Sequence, residues 1–176
     1  MGLRTGVLTL SDKGARGERD DTSGAAIRSL LAQIGGSVER YEIVADERDL
    51  IAARLRAWVD EADLDVVLTT GGTGLSSRDV TPEATRSVID FEVPGIVEAL
   101  HVDGLRHTPL SMLSRAVAGV RGRTLIVNLP GSERAVRQNM AVLLPVLNHA
   151  VATLRDQSGD HIAPDRAAEP PSSDGG

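Results

Sequence analysis

Between residues 70 and 82 the chain concentrates groups suited to holding an anion: Thr70-Gly71-Gly72-Thr73-Gly74, then Asp79, Thr81 and Pro82. Glycines carry no Cβ, so their N–H groups approach a ligand closely. Thr70 and Thr73 add hydroxyl donors. The spacing predicts a helix from Thr81, with Thr81 as N-cap and Pro82 as first helical residue, and unpaired N–H groups there also favour negative charge. The plain alternative is a tight strand-to-helix turn without a ligand. Three glycines in four residues, with two threonines and a carboxylate nearby, favour a phosphate or other polar ligand. Two familiar phosphate loops do not fit. A Walker A loop needs Gly-Lys-Ser/Thr, and the one lysine is Lys13. The dinucleotide fingerprint Gly-x-Gly-x-x-Gly is not matched by Gly71-Gly72-Thr73-Gly74.

The elements that must position this loop follow from the apolar periodicity. Thr5–Leu10 reads as a buried strand ending at Ser11-Asp12, followed by a charged loop to Asp21. A helix from about Thr22 carries Ile27, Leu30, Leu31 and Ile34 on one face and stops at Gly35-Gly36. Val38–Val44 is a second strand. Asp46–Asp49 opens a second helix with Ile51, Leu55, Trp58, Val59 and Ala62 on its inner face, and Leu64–Thr69 is a third strand. This β-α-β-α-β order calls for a mostly parallel sheet with helices on both faces.

Beyond the glycine loop, helix is expected from Thr81 to about Asp90, then from Ile96 to Leu105 after a break at Pro94-Gly95. Ala116–Val120 and Thr124–Leu129 read as a hairpin about Arg121-Gly122, which makes the sheet mixed. The last helix follows Pro130-Gly131-Ser132 and buries Val136, Met140, Leu143, Leu144, Leu147, Val151 and Leu154, with a kink expected at Pro145. Residues 1–155 are read as one domain and 156–176 as a polar, disordered tail.

Composition narrows the partners. A net charge of −6, with one Phe, one Trp and one Tyr, argues against nucleic-acid binding. Phosphates must then be met by N–H groups, helix ends, arginines or a metal. The absence of cysteine excludes disulfides, thiolate metal sites and a cysteine nucleophile. No signal peptide and no apolar span of about 20 residues is seen. A soluble, cytoplasmic protein without a membrane partner is expected.

In a wound parallel sheet, ligands sit beyond the carboxyl ends of the strands. Four such ends carry polar groups: Ser11-Asp12, Asp46, the glycine loop, and Asn128 with Pro130-Gly131-Ser132. Each has a purely structural reading. Asp46 suits a helix N-cap, Asp79 a brace for its turn, Asp12 a strand-end turn and Ser132 a helix cap. Arg115 suits either a phosphate or an acidic partner. His101, His107, His149 and His161 lack metal-ligand spacing and read as surface or structural, and Ser11 and Ser114 have no recognisable catalytic partner.

Taken in order, TLSDKG, VADERD, TTGGTGLSSRDVTPEAT, VPGIVEAL, TPLSMLSRAVAGV and LIVNLPGS resemble the MogA/MoaB family of molybdenum cofactor biosynthesis proteins, which includes the G domain of gephyrin. The match runs up to the final helix. The resemblance implies a three-layer α/β/α sandwich of the molybdopterin-binding type, and a homotrimer. It also implies a nucleotidyltransferase reaction, in which molybdopterin and Mg-ATP give adenylylated molybdopterin and pyrophosphate, and contact with other proteins of the pathway. By motif, Asp46 and Asp79 match the family's functional aspartates and would hold Mg²⁺. Gly71, Gly72, Thr73 and Gly74 match its pterin- and phosphate-binding loop, and Thr70 and Thr81 beside it are further substrate-binding candidates. Ser11, Asp12, Pro130, Gly131 and Ser132 match further binding positions. Ala45, Ser77 and Glu133 depart from the usual pattern without removing any of these residues.

The chemistry fits two anionic substrates. A phosphate nucleophile is already ionised at neutral pH, so no His or Cys dyad is needed. The repulsion must instead be offset by N–H donors, arginines and Mg²⁺. Two other readings stand beside this one. One is a non-catalytic molybdopterin carrier of the same fold. The other is a generic nucleotide-binding oxidoreductase, which lacks its fingerprint.

Overall fold

A computed structural model of the chain describes residues 2–156. Its core is a six-stranded sheet of order β2-β1-β3-β6-β5-β4. Strands β1 (Arg4–Leu10), β2 (Ser37–Val44), β3 (Val66–Thr70) and β6 (Thr124–Leu129) run parallel. Strand β5 (Ala118–Arg121) returns antiparallel to β6 through a turn at Gly122, where φ is 57°. Strand β4 (Phe91–Glu92) pairs antiparallel with β5 at the far edge. The sheet is mixed, as the hairpin reading requires.

Successive residues of a strand point to opposite faces, and this alternation builds two cores. Val7, Val66, Leu68, Leu125 and Val127 face helices α2 (Thr22–Gln33), α5 (Pro94–His107) and α6 (Glu133–Asp156), meeting Ile27, Leu31, Leu100, Met140 and Leu147. Leu8, Leu10, Val67 and Ile126 face α3 (Arg48–Ala62) and α4 (Thr81–Arg86), meeting Ile51, Leu55, Trp58 and Ala84. The result is three layers, with helices covering both faces of a sheet too apolar to meet water.

Several boundaries differ from the sequence reading. The charged loop after β1 contains a helical turn, α1 (Asp12–Ala15), capped by the Ser11 hydroxyl accepting the Gly14 N–H at 3.0 Å. Helix α4 ends at Arg86 rather than near Asp90. The Ser87 hydroxyl donates to Ala84 O at 2.7 Å, and the chain then turns out to pair as β4, a strand too short to carry a period. Pro94 opens α5 instead of breaking a helix, because a first-turn proline lacks only an N–H that needs no partner there. Pro109–Leu113 forms a 3-10 helix capped by Thr108. Helix α6 runs through Pro145 as one element. The expected disordered tail lies outside the described residues, apart from Asp156, the last residue of α6.

Candidate functional site

From β1 the chain winds to β2 on one side and then to β3 on the other, so strand order reverses between β1 and β3. The connections that leave neighbouring strands part to opposite faces of the sheet at such a point and leave a crevice beyond the carboxyl ends. A cleft of about 370 Å³ occupies it. It is lined by Ser11 and Gly14 after β1, Asp46 after β2, Thr70-Gly71-Gly72 and Asp79 after β3, and Gly131-Ser132 after β6. The four strand ends therefore meet at one place.

The glycine loop takes its shape from backbone conformations that side chains resist. Gly71 and Gly72 have φ of 103° and 64°. A methyl group at Gly72 would lie 2.3 Å from Thr81 Oγ1 and 3.1 Å from Asp46 Oδ1, and one at Gly74 would lie 3.0 Å from Asp79 Oδ2. The missing Cβ atoms thus make room for Thr81 and the two carboxylates. The N–H groups of Gly72 and Gly131, both on the cleft wall, donate to no acceptor among the described residues.

The threonine hydroxyls have other work than the sequence suggests. Thr70 Oγ1 donates to Pro130 O at 2.7 Å, joining the loops after β3 and β6. Thr81 is buried, and its hydroxyl donates to Gly71 O at 2.9 Å. It is the first residue of α4, not the N-cap, which is Val80. Thr73 is buried off the cleft wall. Arg115 pairs with an acid: its guanidinium donates to Glu83 and to the carbonyls of Gly74 and Asp79, while its N–H donates to Thr73 O at 2.9 Å. It is a clamp on the loop. Asn128, expected at a ligand-bearing strand end, is fully buried. It donates to Thr69 and Thr85 hydroxyls at 2.9 Å and accepts the Val117 N–H at 3.1 Å.

Asp46 and Asp79 border the same cleft, each partly buried. Asp46 is no N-cap: α3 begins at Arg48 behind Glu47, which makes no side-chain cap bond. Its Oδ2 accepts the Asp12 N–H at 3.0 Å, and Asp12 Oδ1 accepts the Asp46 N–H at 3.0 Å. Burial pushes the Asp46 carboxyl up. The hydrogen bond from Asp12 opposes this, the negative charge of Asp12 adds to it, Arg78 opposes it and Asp79 adds to it. Asp79 braces its turn as expected, with Oδ2 accepting the Ser76 N–H at 2.9 Å, yet still faces the cleft.

Asp12 is off the cleft wall and forms a forked pair with Arg78 at 2.8 and 3.1 Å, which holds its carboxyl below the ordinary range. Pro130 and Gly74 are also off this wall. Pro130 borders a second, more apolar cavity of about 300 Å³ between α5, the 3-10 helix and α6, which meets the first at Ser132. Ser132 caps α6, accepting the Ala135 N–H at 3.3 Å.

The sequence reading missed the rest of the lining, formed by Thr9, Arg19, Asp20, Asp21, Thr22, Ser23 and Ile43 with Leu10. Its available signal was the Asp21-Thr22 helix start. Asp21 caps α2 by accepting the Gly24 N–H at 2.8 Å and also accepts the hydroxyls of Thr9 and Tyr41 at 2.6 and 2.7 Å.

A doubly wound sheet with a polar cleft at its reversal point defines the class: an α/β protein whose strand-end loops line one crevice beyond the parallel strands. Residues 6–149 match the family described as "Probable molybdopterin binding domain", and the chain belongs to that family. It is 41% identical over 151 residues to the molybdopterin adenylyltransferase of Helicobacter pylori strain J99, covering 85% of this chain and 86% of that protein. It is 42% identical to the molybdenum cofactor synthesis protein cinnamon of Drosophila melanogaster, covering 86% of this chain but only 25% of that longer protein. The crystal structure of the molybdopterin biosynthesis enzyme MoaB from Thermus thermophilus superposes with a TM-score of 0.83 at 54% identity, covering 88% of this chain and 97% of that one.

Proposed function

We propose that this chain acts in molybdenum cofactor biosynthesis as a molybdopterin adenylyltransferase, joining molybdopterin to the adenylyl group of Mg-ATP and releasing pyrophosphate. The observation that carries the reading is the convergence of Asp46, Asp79, Gly71-Gly72 and Gly131-Ser132 on one cleft at the reversal of strand order. The names of relatives of which the chain covers 86% support it. The two cavities meeting at Ser132, one polar and one apolar, suit a reaction of two different substrates.

In this reading the terminal phosphate of the pterin attacks the α-phosphorus of ATP, and pyrophosphate leaves with the electron pair of the broken P–O bond. The attacking oxygen is ionised at neutral pH, so the protein's task is positioning and charge compensation. The N–H groups of Gly72 and Gly131 offer donors to phosphoryl oxygens. Arg115 keeps the loop in shape from behind.

Asp46 and Asp79 are the residues that would hold Mg²⁺. Each has one oxygen engaged by a main-chain N–H and the other without a hydrogen-bond donor among the described residues. No group of three acidic or histidine side chains among those residues is placed to hold a metal ion by itself, so Mg²⁺ here would complete its shell with substrate phosphates and water. When bound, it would neutralise charge on the phosphates.

A homotrimer in the cytoplasm, in contact with other proteins of the pathway, belongs to the same proposal. The apolar side chains that α5 and the 3-10 helix leave exposed support the self-association: Val102, Leu105, Leu110, Met112 and Leu113.

The test is incubation of the protein with molybdopterin and Mg-ATP, with chromatography of the products. Adenylylated molybdopterin and pyrophosphate are expected, and Asp79→Asn should lower turnover by about 10²-fold or more while the fold survives. Binding of molybdopterin without product would replace the enzyme by a carrier. Unchanged turnover in Asp79→Asn would remove that side chain from the reaction.

A further inference from the structure

The cleft that we assign to phosphorylated substrates is itself bordered by four carboxylates, those of Asp20, Asp21, Asp46 and Asp79. Cations are near, but most are committed. Arg78 is forked onto Asp12, and Arg115 is spent on Glu83 and the loop carbonyls. Arg16 pairs with Glu18 at 2.8 Å, and Arg28 lies over the Tyr41 ring at 4.4 Å. Lys13 is exposed and off the cleft wall.

Arg19 differs from all of them. It lines the cleft, is exposed, and has no hydrogen-bond or ion-pair partner among the described residues. Its neighbour Asp21 does not claim it, because both Asp21 oxygens already accept hydrogen bonds, from Thr9, Tyr41 and Gly24. The segment that carries Arg19 is held in place. The Gly17 and Glu18 N–H groups donate back to Gly14 O and Lys13 O at 2.9 Å, and the Thr22 N–H donates to Asp20 O at 3.2 Å.

We propose that Arg19 is a phosphate-binding residue of this cleft, its planar guanidinium taking two oxygens of a substrate phosphoryl group. The inference rests on the reading of the cleft given above. Arginine suits the task because its fork matches phosphate geometry and its charge does not titrate near neutral pH. An uncommitted guanidinium also offsets part of the repulsion between an anionic ligand and the acidic wall without first having to leave a protein partner. The phosphoryl group belongs either to the nucleotide or to the pterin, and the two are separable by experiment.

The test titrates the full-length wild type, Arg19→Gln and Arg19→Lys with Mg-ATP, Mg-pyrophosphate and molybdopterin by calorimetry. Arg19→Gln should weaken the served ligand about 10- to 100-fold, the scale of one hydrogen-bonded charge, and Arg19→Lys should restore part of it. The thermal midpoint should not move, because no protein contact is lost. In turnover, KM for that substrate should rise with kcat nearly unchanged. Loss confined to ATP and pyrophosphate places the nucleotide at Arg19, and loss confined to molybdopterin places the pterin phosphate there. Equal affinities in wild type and Arg19→Gln overturn the assignment alone. A wild type that binds none of the three ligands overturns it together with the reading of the cleft.

Discussion

In the role proposed for Asp46, function and stability pull apart. Its carboxyl is raised first by burial, so the folded protein favours the neutral form more than the unfolded chain does. The sign follows by linkage: the stabilisation is fully present below the ordinary carboxylate range and is lost as pH rises through the folded value. At neutral pH the ionised group therefore weakens the fold. Asp46→Asn, which keeps an oxygen to accept the Asp12 N–H, should raise the thermal midpoint at pH 7 while abolishing turnover, and the gain should vanish near pH 3. Thermal melts of the two proteins at both pH values check this; a destabilised Asn variant at pH 7 would contradict it. Asp12 has the opposite sign. Arg78 holds its carboxyl down, so that pair supports the fold above the carboxylate range and fades as pH falls.

The segment between β3 and α4 is held by contacts from four directions. Thr81 reaches back to Gly71 and Thr70 across to Pro130. Arg115 reaches from beyond the 3-10 helix, and Leu129 O accepts the Gly71 N–H at 3.1 Å. A loop fixed in this way meets a ligand without reorganising, which is the condition for electrostatic catalysis. The left-handed φ of Gly72 and its nearness to Thr81 Oγ1 make it the most sensitive point. Gly72→Ala should cost on the order of 1–3 kcal/mol in chemical denaturation and remove most turnover. Gly95, where a Cβ would meet nothing within 4 Å, is the control and should tolerate alanine.

For the whole molecule, the exposed apolar side chains of α5 and the 3-10 helix make a direct prediction. Leu110 and Met112, both on the 3-10 helix, are 68% and 65% exposed, beside the exposed Val102 and Leu105 of α5, and apolar side chains left in water on neighbouring elements mark an interaction surface. Light scattering should give three chain masses, and Leu110→Asp with Met112→Asp should give one while circular dichroism stays unchanged. A monomeric wild type would remove the trimer from the proposal. No helix among the described residues is long and apolar enough to cross a membrane.

Much of the architecture was legible in the amino-acid order. Val7 beside Leu8, and Val67 between Val66 and Leu68, fix a sheet covered on both faces, because adjacent strand residues point oppositely. The four strand ends bearing polar groups were also readable, and the sheet does gather them. What the order could not show was which polar groups are already satisfied. The Thr70, Thr81 and Asn128 side chains look like ligand donors in sequence, and only long-range packing reveals that each is bonded within the protein. Arg19 and Asp21 look like ordinary loop charges until the fold brings them to the same cleft as Gly72. Local pattern decides which residues form an element and which face they bury. The pairing of polar groups distant in sequence, and hence which of them remain free to meet a substrate, is decided only when the chain closes on itself.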